Sequence, residues 1–172
     1  WNGIGSVYKE MGKLDEAISA HNKALEINPY YSEAHNNLGI IFDDNGRLED
    51  AIIHYNKALK ISPDFAEAYN NLGVTHSKQC KTDKAISHYK AAIDLNPNYA
   101  EAYNNLGVAY VNQNMFDEAI EQYKMAIEIN PHYAEAHNNL GITYTKKAKF
   151  TLAIAHYKQA IKINPGYAAA YY

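Results

Sequence analysis

Five prolines, Pro29, Pro63, Pro97, Pro131 and Pro165, stand 34 residues apart, and Gly5, Gly39, Gly73, Gly107 and Gly141 keep the same step. Two residue types locked to one period along 172 residues confine the chain to folds built by repeating one small unit. With the glycine at slot 8 and the proline at slot 32, slot 7 reads Ile4, Leu38, Leu72, Leu106 and Leu140. Slot 20 is Ala17, Ala51, Ala85, Ala119 and Ala153, and slot 27 is Ala24, Ala58, Ala92, Ala126 and Ala160. No insertion breaks the register.

The spacing of apolar residues inside a unit is helical. From Asp117 to Ile129, the residues Ala119, Ile120, Tyr123, Ala126 and Ile127 follow i, i+3, i+4, i+7 spacing, while Glu118, Glu121, Gln122 and Lys124 take the other face. Ala102, Leu106, Ala109 and Tyr110 give the first half of the same unit a second helix. Between the two, slot 15 holds Gly12, Gly46, Cys80, Asn114 and Ala148, a position where Gly or Asn suits a helix end. Asp15, Asp83 and Asp117 lie at or near the next helix start and favour its positive end. The second helix stops before the proline, which biases the preceding residue out of helical geometry. Small residues at slots 8, 20 and 27 let the two helices approach closely.

A 34-residue helix-turn-helix unit with Leu-Gly at slots 7 and 8, aromatics at 4, 11 and 24, Ala at 20 and 27 and Pro at 32 resembles the tetratricopeptide repeat (TPR). The resemblance implies an all-α fold, a right-handed superhelical solenoid of antiparallel helix pairs with a groove lined by first helices. Residues 1–172 then form a single array. Its units are 1–31 (short at its N-terminal side), 32–65, 66–99, 100–133 and 134–167, with 168–172 opening a sixth. Together with slot 34 (Tyr31, Tyr99, Tyr133 and Tyr167), the three aromatic slots absorb 14 of the 16 tyrosines, which reads as packing between helices and not as a stacking platform for bases. His21 at slot 24, His76 at slot 11 and Cys80 at slot 15 depart from the pattern, so looser packing is expected in units 1 and 3.

Composition narrows function further. At 47% hydrophobic and 20% charged residues, with a net charge of -3, the chain fits neither a disordered tract nor a membrane span, and no membrane partner is expected. Cys80 has no partner for an internal disulfide, and an intracellular, cytoplasmic setting is favoured. Sixteen Lys and Arg residues form no stripe through the units, which argues against nucleic acid; Lys146, Lys147, Lys149, Lys158 and Lys162 make the last unit basic. There is no phosphate loop and no nucleophile elbow, and the reading is non-catalytic with no cofactor. No two of the eight histidines sit at i, i+4 on one helix, so no metal site is expected, with His132, Glu135 and His137 the nearest approach to one.

The polar residues that need a reason are the pairs Asn36-Asn37, Asn70-Asn71, Asn104-Asn105 and Asn138-Asn139 at slots 5 and 6, since Asn is a mediocre helix former. An amide side chain offers a donor and an acceptor, matching a peptide bond. These eight residues are the candidate peptide-binding set, a ladder holding an extended protein or peptide segment by its backbone. The rival role for either slot is bracing between helices. Four contacts at about 0.5–1.5 kcal/mol net leave specificity to other slots, among them the apolar slot 9 (Ile40, Val74, Val108, Ile142) and the variable slots 12 and 13. The string Glu101-Ala102-Tyr103-Asn104-Asn105-Leu106-Gly107 also resembles the arrays in front of O-linked N-acetylglucosamine transferases and SPINDLY-type proteins. That resemblance implies substrate recruitment by Asn37, Asn71, Asn105 and Asn139, with Gly3 departing from the pattern. The Lys and Arg carboxylate clamp of chaperone-tail binders is missing at slots 5 and 9. Because no polar capping helix closes the array, head-to-tail self-association into a filament is the alternative expectation.

Overall fold

The computed structural model describes residues 1–166, and among these the secondary structure is helical throughout. Tyr167, Tyr171 and the expected opening of a sixth unit at 168–172 lie outside the described residues. The chain divides into two compact units, Trp1–Lys81 and Thr82 onward, so the division falls between the helices of the third repeat and not between repeats. The first contains α1 (Asn2–Glu10), α2 (Leu14–Ile27), α3 (Ser32–Asp44), α4 (Leu48–Ile61) and α5 (Ala66–Lys78). The second contains α6 (Thr82–Leu95), α7 (Ala100–Asn112), α8 (Phe116–Ile129), α9 (Ala134–Lys146) and α10 (Phe150–Ile163).

In the first unit each helix packs on the next, and first helices also touch across a repeat, α1 with α3 and α3 with α5. The second unit repeats the scheme, with α7 touching α9. The small slots explain how the pairs close. A Cβ added to Gly39 would lie 2.5 Å from the Tyr55 ring, and one on Gly107 or Gly141 would lie 2.6 Å from Tyr123 or Tyr157. The slot-24 ring thus occupies the space a side chain at slot 8 would need. Tyr55 and Tyr123 are only 2% exposed. Around Tyr55 the buried cluster is Leu38, Phe42, Ala51 and Leu72, with Ile18, Leu25, Ile40, Ile52 and Leu59 packed against it. Burying one such ring is worth about 1.5–3 kcal/mol.

Every turn between the helices of a described pair has one geometry. Slot 15 is left-handed in all five repeats, with φ of 71° at Gly12, 73° at Gly46, 58° at Cys80, 59° at Asn114 and 55° at Ala148. Its N–H donates to the carbonyl three residues back, and the next N–H donates five residues back, as in Gly46 to Asp43 (3.0 Å) and Arg47 to Phe42 (2.9 Å). This is the Schellman arrangement, which satisfies the last carbonyls of the first helix. The acidic residues at the following helix start are not caps: Lys13, Arg47, Met115 and Lys149 hold the cap position with no side-chain hydrogen bond, and Asp15 and Asp117 sit inside the first turn. They act through the helix dipole instead. After the second helix, Asn28, Asn96, Asn130 and Asn164 accept from the backbone N–H two residues on, so the Asn-Pro step is an Asx turn as well as a stop.

A β-carbon in left-handed geometry costs about 1–2 kcal/mol relative to glycine, and Cys80 and Ala148 carry that cost where Gly12 and Gly46 do not. Ala148→Gly is therefore expected to stabilise the chain by about 1 kcal/mol, and Asn114→Gly by less, because asparagine tolerates this region. Urea denaturation of both variants checks the order; no gain at position 148 would refute the assignment of strain.

Candidate functional site

The slot-5 asparagines are interior residues. Asn36, Asn70, Asn104 and Asn138 lie buried on α3, α5, α7 and α9, while the slot-6 residues Asn37, Asn71, Asn105 and Asn139 are half-buried beside them. One helical step therefore separates a side chain facing the adjoining helices from one at their edge. Within each unit the two slots are wired together. Asn71 Nδ2 donates to Asn36 Oδ1 at 3.1 Å, Asn37 Nδ2 to Asn2 Oδ1 at 3.2 Å, and Asn139 Nδ2 to Asn104 Oδ1 at 3.0 Å. The slot-5 amide then donates forward to the slot-2 glutamate of the next repeat, Asn36 to Glu67 at 3.2 Å and Asn104 to Glu135 at 3.3 Å.

Each slot-6 amide in these contacts thus donates one N–H to the preceding repeat, 35 residues back, from a half-buried position. The slot-5 amides of Asn36 and Asn104 have both a donor and the acceptor engaged in bracing. A buried Asn left with one end unpaired would cost about 1–3 kcal/mol, which is why an otherwise poor helix former recurs here. Asn138 Oδ1 is buried with no hydrogen-bond partner among the described residues.

A second ladder uses the same 35-residue step. Lys9 meets Asp44 at 3.0 Å, and Lys78 pairs with the buried Asp43, which also accepts from Thr75 Oγ1 at 2.7 Å. These are slot-12 residues joined to slot-13 residues of the following repeat, a pairing that adjacent-residue and i, i+4 patterns do not show. Charges at the variable slots are therefore partly used within the first unit. Slot 9 is mixed in placement: Ile40, Val74 and Val108 are half-buried and Ile142 is exposed.

The slot-24 tyrosines complete the wiring. Tyr55 bonds Thr75, and Tyr123 bonds Thr143, in each case the slot-10 residue of the next repeat; burial raises both phenols. In the first repeat the ring is His21, whose Nδ1 meets Asn2 Oδ1 at 2.8 Å, and slot 10 of the next repeat is Ile41. His21 Nε2 is consequently buried without a partner. The departure at slot 24 shows up as a missing hydrogen bond, since the ring itself is only 1% exposed.

Among the described residues no group of three or more His, Cys, Asp or Glu side chains is placed to hold a metal ion, His132, Glu135 and His137 included. No described helix is long and apolar enough to cross a membrane. Two histidine pairs do come together: His35 Nδ1 lies 3.2 Å from His54 Nδ1, and His137 Nδ1 lies 3.1 Å from His156 Nδ1. The signal in the sequence is the 19-residue step from slot 4 to slot 23, which joins the two helices of a repeat and escapes a search along one helix.

A helical repeat that buries one polar slot and leaves its neighbour at the edge defines a class of scaffold, and comparison assigns it. The tetratricopeptide repeat model matches residues 100–133 and 134–167, and a TPR repeat model matches 5–46, 41–79 and 81–114. The chain belongs to the tetratricopeptide repeat family, whose members bind protein or peptide partners. Solved structures agree. A crystal structure of MamA is 33% identical with a TM-score of 0.81, covering 96% of each chain. YrrB, described as a TPR protein with an unusual peptide-binding site, is 26% identical with a TM-score of 0.75, covering 99% of this chain and 88% of its own. PilF of Pseudomonas aeruginosa, at 22% identity and a TM-score of 0.90 over 98% of this chain and 77% of its own, shares the fold. No curated protein sequence matches.

The histidine pairs also set a pH dependence. Burial lowers all four imidazoles, His54 to about 4, with Lys57 adding to the effect at His35 and His54 and Lys124 at His156; each slot-23 ring is further lowered by its partner, and Asp50 opposes the shift at His54. An unfolded histidine titrates near 6.5, so between that pH and about 4 the unfolded chain holds more protons and folding weakens as pH falls. In chelator-treated buffer Tm should be highest above about pH 6.5 and drop towards about pH 4.5. The variant His54→Gln with His156→Gln, which copies Gln122 of the fourth repeat, should show a shallower drop. Identical slopes would refute the contribution of the pairs.

Proposed function

We propose that the chain is a non-catalytic scaffold holding an extended protein or peptide segment along its first helices, with Asn37, Asn71, Asn105 and Asn139 contacting the backbone of that segment. The observation that carries this reading is the division of labour between the two asparagine slots. Bracing engages both ends of the buried amides Asn36 and Asn104, whereas the edge amides Asn71 and Asn139 spend one N–H on it, which leaves their carbonyl oxygens to meet a ligand. Such an oxygen accepts from a peptide N–H. The peptide-binding site described for YrrB lends support from a related array. Asn36, Asn70, Asn104 and Asn138, as the buried partners, hold the edge amides in place in this reading.

Because an edge amide also braces, its loss alone cannot separate binding from stability. The informative comparison is Asn139→Ala, which removes brace and contact, against Asn104→Ala, which removes the brace and keeps the edge residue. Both should lower Tm. On an array of unstructured peptides, Asn139→Ala should weaken binding by about 2- to 12-fold more than Asn104→Ala, the equivalent of one hydrogen bond. Equal losses of affinity would make both slots purely structural.

A second reading, head-to-tail association of copies, has its own observation. Trp1, Ile4, Val7 and Met11 make an apolar stripe along α1 and its two flanking residues, each about half exposed. The double variant Ile4→Lys with Val7→Lys should therefore raise the concentration at which sedimentation shows oligomers. If both forms sediment as monomers at millimolar concentration, this reading fails.

A further inference from the structure

The two histidine pairs lie outside the asparagine array and have the same construction. In each, one imidazole comes from slot 4 of a first helix and the other from slot 23 of the second helix, and both present Nδ1 to the same point. Ring centroids are 5.3 Å apart for His35 and His54 and 5.4 Å for His137 and His156. The slot-23 ring is held from behind by the slot-11 aromatic, Phe42 at 5.3 Å from His54 and Tyr144 at 5.7 Å from His156. Histidine occupies slot 4 in repeats 2 and 5 alone, and both repeats carry histidine at slot 23.

We propose that each pair is a two-histidine site for an imidazole-preferring divalent transition-metal ion, Cu(II) ahead of Zn(II), bound through the two Nδ1 atoms with water filling the remaining positions. The geometry is that of adjacent ligands on one ion. With metal–nitrogen bonds of about 2.0–2.1 Å, two such nitrogens are about 2.9 Å apart at a right angle and about 3.4 Å apart at the tetrahedral angle. The observed 3.1 and 3.2 Å fall between these limits. Without metal the same contact holds one proton, donated by one Nδ1 to the other; on binding, the donor ring gives up that proton and takes one on Nε2 by exchange with solvent, so both rings stay neutral, both Nδ1 lone pairs meet the ion and no net proton is released. Burial already favours neutral rings, the ligating form. The preference for Cu(II) comes from the imidazole donors and the general order of divalent affinities. Lys57 and Lys124 lie close enough to repel a cation, and Asp50, one turn before His54, is ion-paired with Arg47 at 2.6 Å, so neither site gains a free carboxylate. The inference is independent of the peptide-binding reading, since none of the four histidines belongs to that set.

Titrating the full chain with Cu(II) and with Zn(II) in non-coordinating buffer at about pH 7.4, above the ordinary imidazole range, by calorimetry with electron paramagnetic resonance for copper, tests it. The native chain should take up two more equivalents than the double variant His35→Tyr with His137→Tyr. These replacements copy Tyr69 and Tyr103 at the same slot and so suit the packing. Each single variant should lose one equivalent, and His54→Gln should lose the same equivalent as His35→Tyr from the opposite helix. Circular dichroism confirms that the variants remain folded. Ions the double variant retains are held elsewhere, by the terminal amine or other histidines. Unchanged stoichiometry in the folded double variant, or no uptake by the native chain, overturns the proposal.

Discussion

The contact on which the rest depends is the slot-24 ring seated over the slot-8 glycine. With Tyr55 2.5 Å from where a Gly39 Cβ would stand, the helices of a pair cannot be separated by any side chain at that point, and their spacing is set by the thickness of a ring on bare backbone. Alanine at slots 20 and 27 answers the same approach, and Ala51, Ala58, Ala119 and Ala126 are fully buried. Close helices also bring the next repeat within reach: Tyr55 touches Thr75 and Tyr123 touches Thr143 only because the phenol oxygen projects past its own pair. One small residue therefore positions both the pair and its attachment to the next repeat.

The amide and charge bridges between repeats use a 35-residue step, one more than the period. A repeat stacked on its predecessor places slot n beside slot n+1, so the two ends of a bridge fall on adjacent slots. Asn71 with Asn36, Asn139 with Asn104, Lys9 with Asp44 and Lys78 with Asp43 all obey this rule. The amide bridge recurs because its environment is buried and an unpaired amide is expensive there. The charge bridge does not recur in the second unit, where Val111 and Lys146 hold the corresponding slots. The exposed Lys9–Asp44 pair is worth little, typically below about 1 kcal/mol, so nothing in stability compels its repetition, whereas the buried Asp43 needs Lys78 and Thr75 as partners.

Elements repeated at the period were legible in the sequence, because each answers a local demand. The left-handed turn at slot 15 is signalled by Gly12, Gly46 and Asn114, and the geometry persists at Cys80 and Ala148, where residue type alone argues against it. Interactions between repeats were harder to read. The asparagines were identifiable as unusual, yet whether slot 5 or slot 6 faced inward depends on the rotation of the helix against its neighbours, which a period of 34 does not specify. The charge ladder and the histidine pairs escaped because their steps, 35 and 19 residues, cross from one helix to another. Once helix packing supplies those steps, both can be found in the string.

Packing also divides the array's positions by their capacity for function. Positions that satisfy buried polar groups are held constant by packing, and constancy makes them good carriers of a contact common to every peptide, its backbone. Positions outside those bridges are released to vary. In the first unit, Lys9, Asp43, Asp44 and Lys78 are drawn into bridges, whereas at the same slots of the second unit Val111, Asn112, Thr145 and Lys146 form no ion pair among the described residues. Under the proposed reading such a scaffold would grip with its asparagines and discriminate most in the second unit, where no charge bridge fixes residue identity at slots 12 and 13 and Thr145 is held, among the described residues, only by its bonds to Gly141 and Tyr157.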